Sequence, residues 1–126
     1  MKSLFIFSFV LLLSFQQPAS AQSPDPNLYY NINPSHCNLV VSVGGDFLKN
    51  GSFLFQWERP TNNTSEDGQS YKFEKVGAYY KLTARNKYGK CITVSENKEG
   101  GRVVIDDFTN SDLQLWKVEY VGDGKY

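Results

Sequence analysis

Few residues of this chain are of a type that supports catalysis. His36 is the only histidine and stands beside Cys37, so a thiol–imidazole pair is the first candidate nucleophile. Adjacent residues of an extended strand point to opposite faces, which turns the imidazole away from the thiol. No Ser-His-Asp set can be built without His36, and the Cys/His spacing of a metal site is absent. Because Glu96, Glu99 and Glu119 form no acid–base pair either, we predict no enzyme, no metal and no cofactor.

The N-terminal residues predict the compartment. Lys2 precedes the apolar run LFIFSFVLLLSF, and small residues follow at Ala19-Ser20-Ala21, so residues 1–21 predict a cleaved signal peptide. The run is shorter than the roughly 20 residues of a membrane span. We therefore expect a secreted protein without a membrane span, and that oxidising environment permits a disulfide between Cys37 and Cys91.

Charge and length narrow the class of protein further. The chain has 13 basic and 13 acidic residues, and neither sign forms a block. Nucleic acids and anionic membranes select basic patches, so neither is an expected partner. Residues 22–27, QSPDPN, hold two prolines and no apolar residue, which predicts a flexible lead-in. The remaining residues 28–126 are enough for one small domain.

From residue 28 onward the chain predicts an all-β domain. Short apolar alternations are separated by Gly, Pro, Asn and Asp at intervals too short for a helix. The predicted strands are YYNI, LVVSV, SFLFQW, YKFEKV, YYKL, CITV, RVVI and LQLWKVEYV.

These strands form one pattern that occurs twice. We define the first repeat as residues 28–77 and the second repeat as residues 78–124, and each supplies four strands in the same order. The alignment sets Tyr79-Tyr80 on Tyr29-Tyr30, Ile92-Thr93-Val94 on Val41-Ser42-Val43, Gly101 on Gly51, and Gln114 to Gly122 on Gln69 to Gly77. A unit of this size cannot bury its apolar face alone, so the two repeats must share a core.

The second repeat resembles one lobe of a ricin-type β-trefoil lectin domain. The resemblance rests on Gly89-Lys90-Cys91-Ile92-Thr93-Val94 followed by Gln114-x-Trp116, with Gln69-x-Tyr71 as the weaker copy in the first repeat. It implies an all-β, β-trefoil-type fold. A trefoil has three lobes, so we expect two recognisable lobes and a third that is missing or truncated, with residues 125–126 as its start. On this view the chain is a fragment, or it completes its barrel by self-association.

The resemblance also implies where sugars would bind. Such lobes use an acid after the Cys-Leu position, an aromatic ring that stacks on the sugar, and amides before Gln-x-Trp. In the first repeat the acid position is Ser42, the aromatic position is Trp57 and the amide position is Gly68. In the second repeat the acid position is Thr93, the aromatic position is Asp107 with Phe108 adjacent, and the amide position is Leu113. Both acid positions lack a carboxylate, so Trp57 is the main stacking candidate. An alternative polar cluster comprises Asp106, Asp107, Asn110 and Asp112, whose competing interpretation is a solvated turn.

The expected function is therefore a secreted carbohydrate-binding module without catalytic activity, with glycans or glycoproteins as partners. Its structural motif residues are Gln69, Tyr71, Gln114 and Trp116, and its N-glycosylation acceptors are Asn50, Asn62 and Asn63. One alternative is a secreted β-trefoil protease inhibitor that acts through the loop at residues 60–68. Another is a trefoil scaffold with degenerate sugar sites.

Overall fold

The computed structural model describes residues 23–44, 49–59, 68–86 and 88–126. The predicted signal peptide, the acceptors Asn62 and Asn63, and all but the last residue of the predicted inhibitory loop lie outside these ranges. Within the described residues no helix is long and apolar enough to cross a membrane.

In the described ranges, seven antiparallel strands form one sheet. The strands are β1 (Tyr29–Tyr30), β2 (Val40–Val43), β3 (Ser52–Trp57), β4 (Tyr71–Val76), β5 (Tyr79–Ala84), β6 (Cys91–Val94) and β7 (Val103–Asp106). Their spatial order is β1-β4-β5-β6-β7-β3-β2. Valine, isoleucine and aromatic residues dominate these segments, as a pleated and partly buried surface favours. The all-β prediction is therefore confirmed.

The sheet curls so that its two ends approach each other. β1 and β2 stand at opposite ends of the strand order, yet the Val41 N–H donates to the Ile32 carbonyl, two residues beyond β1, at 2.8 Å. The Val43 N–H likewise donates to the Gly68 carbonyl at 2.8 Å, just before β4. These bonds satisfy backbone groups of β2 that a flat sheet would leave exposed at its edge. The result is a half-barrel with a concave apolar side.

Both repeats contribute to one core on that concave side. Its buried members are Val43, Tyr71, Tyr80, Leu82, Ala84, Ile92 and Ile105, with Ile32, Val41, Leu54, Phe73, Trp116 and Val118 packed against them. Tyr71 and Ile105 are fully buried and come from different repeats. Burying each of the larger apolar side chains contributes roughly 1.5–3 kcal/mol, so neither repeat keeps this stabilisation without the other.

The closing segment of the second repeat differs from its prediction. In place of a full strand, the chain forms a 3-10 turn at Asp112–Gln114 and then pairs with β5 through a single bridge between Trp116 and Tyr80. The Ser111 side chain begins the turn by accepting a hydrogen bond from the Leu113 N–H. The alternating pattern was correct for an extended segment, but a ladder also needs a neighbouring strand along its length.

The disulfide that the sequence permits is not formed, because Cys37 and Cys91 are both free thiols. Cys91 is fully buried on β6, whereas the Cys37 sulfur lies 3.7 Å from the Gln56 side-chain oxygen on β3. β7 separates β3 from β6, which places the two strands roughly 10 Å apart. A bridge needs Cα atoms within about 7 Å of each other.

Candidate functional site

The first repeat is closed by hydrogen bonds from its Gln-x-aromatic motif. The Gln69 amide nitrogen donates to the Ser42 hydroxyl at 2.8 Å and to the Glu58 carbonyl at 3.0 Å. The Tyr71 hydroxyl donates to the Val41 carbonyl at 3.1 Å. The motif therefore fastens the start of β4 to β2 and to the residue after β3.

The second repeat contains the same set of bonds. The Gln114 amide nitrogen donates to the Thr93 hydroxyl at 3.2 Å and to the Asp107 carbonyl at 2.7 Å. The Trp116 indole N–H donates to the Ile92 carbonyl at 2.9 Å. The four motif residues thus hold the strands together, and Ser42 and Thr93 are buried behind the glutamines. Equivalent bonds at equivalent positions show that the sequence repeat is also a structural repeat.

Strand pairing corrects one part of the sequence alignment. Val40 pairs with Trp57 and Cys91 pairs with Asp106, so Trp57 is equivalent to Asp106, and not to Asp107 as the alignment had it. The turn glycines support the same shift of one residue, because Gly51 and Gly100 both adopt the left-handed backbone, at φ 83° and 78°. The aligned partner of Gly51 was Gly101, its neighbour in the Gly100-Gly101 doublet.

A cavity of about 420 Å³ opens beside the second repeat. Polar groups from both repeats converge on it, namely those of Asn50, Thr93, Asp106, Asp107, Thr109 and Gln114, with Leu113 as an apolar contribution. We call this space the second-repeat cavity. Gln114 also accepts hydrogen bonds from the Thr109 N–H at 2.8 Å and the Thr109 hydroxyl at 3.2 Å, which fixes the loop on one wall.

Three side chains form a clamp at the edge of this cavity. The Lys90 ammonium donates to the Asn50 side-chain oxygen at 2.6 Å and to the Asp107 carboxylate at 2.8 Å. The Asn50 amide nitrogen donates to the second Asp107 oxygen at 3.0 Å. The Lys90 hydrogen bond, followed by that of Asn50, holds the pKa of the Asp107 carboxyl below its ordinary value. Asp107 is therefore ionised at neutral pH and keeps one orientation. The predicted glycosylation acceptor Asn50 uses its side-chain amide in this clamp.

The other predicted site residues lie apart from the cavity. The Phe108 ring packs against the Lys81 ammonium, 4.7 Å from the ring centroid, and Asn110 adopts a left-handed backbone at φ 58° in an exposed loop. Asp112 begins the 3-10 turn and is also exposed. The predicted cluster of Asp106, Asp107, Asn110 and Asp112 is therefore divided, because only its first two members line the cavity.

Trp57 belongs to a row of aromatic rings on β3. Phe53, Phe55 and Trp57 alternate along the strand and so share one face, with ring centroids 6.0 and 5.7 Å apart. The indole is 62% exposed. Gly44 makes room for the row, because a Cβ atom there would lie 2.9 Å from the Phe55 ring. Of this row only Trp57 was predicted as a contact residue, although the spacing of i, i+2 and i+4 on a predicted strand also places the two phenylalanines on its face.

A second, more apolar groove of about 750 Å³ lies beside β1, and we call it the β1 groove. Its lining includes Tyr30, Ile32 and Phe73 from the first repeat, and Val121 and Tyr126 from the C-terminal segment. The chain turns back between Gly122 and Lys125, which sets the Tyr126 ring 5.5 Å from that of Tyr120. Val121 is 71% exposed at this groove.

Groups suited to nucleophilic or metal chemistry are scarce in the structure. Burial raises the pKa of the Cys91 thiol, which keeps it protonated and unreactive at neutral pH. Across the part of the chain that the structure describes, no three His, Cys, Asp or Glu residues are grouped to hold a metal ion.

Comparison with solved structures identifies the architecture. The chain is similar to the crystal structure of the designed 3-fold symmetric protein ThreeFoil, with a TM-score of 0.64 and 22% sequence identity. The match covers 79% of this chain and 68% of that chain. A scan of protein-family models found no match, and a search of curated proteins found none either. The half-barrel and this neighbour together show a β-trefoil-like fold.

Proposed function

We propose that this protein is a secreted, lectin-like module that binds carbohydrate without catalysis, and that the second-repeat cavity is its principal site. The observation that carries the proposal is the convergence of carboxylate, hydroxyl and amide groups on one cavity of about 420 Å³. Ligand pockets are typically concave spaces of about 300–1,000 Å³ with a few placed polar groups. The ricin-type resemblance and the predicted signal peptide support the proposal from the sequence side.

The groups in the cavity match the chemistry of a sugar ring. A pyranose presents several hydroxyls that both donate and accept hydrogen bonds, and charged acceptors make the stronger bonds. Asp106 and Asp107 supply such acceptors, while Thr93 and Thr109 add hydroxyls. Leu113 offers an apolar contact for the C–H face of the ring. Since each carboxylate oxygen has two lone pairs, the clamp leaves Asp107 able to accept bonds from a ligand.

Trp57 supports a second point of contact in the first repeat. Its exposed indole offers an aromatic face, on which the C–H side of a pyranose can stack. Because Trp57 stands where the second repeat has Asp106, the two repeats present different chemistry at equivalent positions. We propose a stacking site in the first repeat and a hydrogen-bonding site in the second.

A glycan array and a protease-inhibition panel, both run with residues 22–126, test this function. We expect retention of a defined set of glycans and no inhibition. Asp106→Asn should reduce glycan retention about tenfold or more, since one charged hydrogen bond is worth roughly 1.5–3 kcal/mol. Glu99→Gln, at an exposed acid in the turn between β6 and β7, is the matched control and should change nothing. Protease inhibition without glycan retention would favour the inhibitor alternative. If both assays are negative, the alternative of a scaffold with degenerate sugar sites is favoured.

A further inference from the structure

Lys90 is an unusually buried lysine that carbohydrate binding alone does not explain. It is only 7% exposed, although lysines are rarely buried unless they are paired. It follows the turn at Gly89 and precedes β6, so its sequence position alone indicates an ordinary surface residue. Its ammonium instead reaches the Asn50 oxygen and the Asp107 carboxylate. A buried cation of this kind is costly unless its bonds are maintained.

The clamp built on Lys90 joins the two repeats. Asn50 precedes β3 of the first repeat, whereas Lys90 and Asp107 flank β6 and β7 of the second. The Asp107 N–H also donates to the Asn50 side-chain oxygen, at 3.1 Å. Both oxygens of the Asp107 carboxylate therefore have fixed partners, so the carboxylate is held in one orientation at the edge of the cavity before any ligand arrives. Such preorganisation lowers the cost of binding.

Lys90 also determines the charge that a ligand meets. Asp106 and Asp107 contribute a formal charge of −2 at the cavity and Lys90 contributes +1, so the net formal charge of the three side chains is −1. The Lys90 ammonium is buried and engaged, whereas the Asp107 side chain is 66% exposed. A ligand in the cavity therefore meets carboxylates directly, with their repulsion only partly compensated.

We propose that Lys90 is a positioning residue that sets the ligand class of the second-repeat cavity, which takes neutral and amino-bearing pyranosides and rejects acidic ones. This inference rests on the proposed carbohydrate function and specifies its ligand. Lys90 acts through Asp107, since it fixes the carboxylate that the sugar contacts and limits the net charge to −1. Without it the cavity has a charge of −2 and Asp107 loses one of its two side-chain partners.

The test is calorimetric titration with matched monosaccharides at low and at physiological ionic strength. The probes are the methyl glycosides of galactose, galacturonic acid and galactosamine, and the corresponding glucose series. We expect the acidic sugar of the preferred series to bind about tenfold more weakly than the neutral one, because the net negative charge of the cavity repels its carboxylate. We expect the amino sugar to bind more tightly, and added salt to reduce both differences.

Variants separate the positioning role from a structural one. Lys90→Met should weaken binding of the neutral sugar and increase the ratio of neutral to acidic affinity further. Lys90→Arg keeps the charge and should preserve that ratio. Lys75→Met, at an exposed lysine of β4, is the control and should match the parent protein. If Lys90→Met does not fold, the neutral-to-acidic ratio and its salt dependence, measured in the parent protein and in Lys90→Arg, still test the proposal.

The outcomes distinguish the two proposals. If none of the six sugars binds and the glycan array is also blank, the carbohydrate function is wrong and this inference falls with it. If a neutral sugar binds and its acid binds equally or more tightly, the function stands and the role of Lys90 is overturned. An unchanged neutral-to-acidic ratio in a folded Lys90→Met protein overturns it as well.

Discussion

Gln114 provides the sharpest test of how the closing motif holds the fold together. It is 2% exposed, and its side chain makes four hydrogen bonds. The amide nitrogen donates to the Thr93 hydroxyl and to the Asp107 carbonyl. The amide oxygen accepts from the Thr109 N–H and from the Thr109 hydroxyl. Gln114→Leu keeps a similar volume and removes all four bonds, so it separates the loss of hydrogen bonds from the creation of a cavity.

The expected loss follows from the partners left behind. A net hydrogen bond contributes about 1 kcal/mol, and leaving a buried partner unsatisfied costs about 1–3 kcal/mol. Leucine recovers part of this through apolar burial. We therefore expect Gln114→Leu to lower the free energy of unfolding by about 3 kcal/mol. That is a large share of the 5–15 kcal/mol typical of a whole domain.

Urea unfolding followed by tryptophan fluorescence measures this change. Gln56→Ala is the control, because Gln56 is an exposed residue near the end of β3, and it should change the free energy of unfolding by less than about 0.5 kcal/mol. A loss below about 1 kcal/mol for Gln114→Leu, with the slope against urea unchanged, would refute the reasoning. It would mean that the four bonds do not hold the closing segment.

Three further predictions follow from other features. The clamp with Lys90 lowers the pKa of Asp107 in the folded protein, so it stabilises the fold above the ordinary carboxyl pKa of about 3.9, and this contribution disappears as pH falls through the lower folded pKa. Urea midpoints measured from about pH 6 to about pH 3 should therefore fall less steeply in Lys90→Met, and identical pH profiles would contradict the clamp. A thiol reagent should modify Cys37 rapidly and Cys91 only on unfolding, because Cys91 is buried and burial raises the pKa of its thiol. If both cysteines react only after treatment with a reductant, the two form a disulfide and this prediction is wrong. Residues 22–126 should self-associate through the β1 groove, because Val121 is 71% exposed there beside the apolar side chains of Ile32 and Phe73. Sedimentation should show mass rising with concentration, and a monomer at all concentrations would contradict this.

The architecture was readable from the sequence because strands have a side-chain period of two. Tyr80 to Ala84 alternates apolar and polar residues, and burial alternates along β5 accordingly. The closing glutamines were also readable, because the repeat set Gln69 on Gln114. These two signals predicted an all-β chain with a repeat, and the resemblance of the second repeat to a trefoil lobe added the β-trefoil type. Both can be read from one sequence, because neither depends on which residues meet in space.

The cavity was only partly predictable, because it depends on register and on contacts between repeats. The Gly100-Gly101 doublet gave two equal choices for the turn, and the wrong one shifted the equivalent of Trp57 by a residue. Lys90 and Asn50 are 40 residues apart in sequence, and neither type indicates a buried clamp. The pairing of Cys37 and Cys91 was open for a similar reason, since two cysteines in a sequence say nothing about the strand that lies between them in the sheet.

An NMR titration tests the central claim most directly. The backbone amide resonances of residues 22–126, labelled with ¹⁵N, are followed as a neutral pyranoside retained on the array is added. We expect saturable shifts at the walls of the second-repeat cavity, above all at Thr93, Asp107, Thr109 and Gln114, with smaller shifts at Trp57. Saturable shifts confined to other parts of the molecule, or no shifts at millimolar sugar, would contradict it.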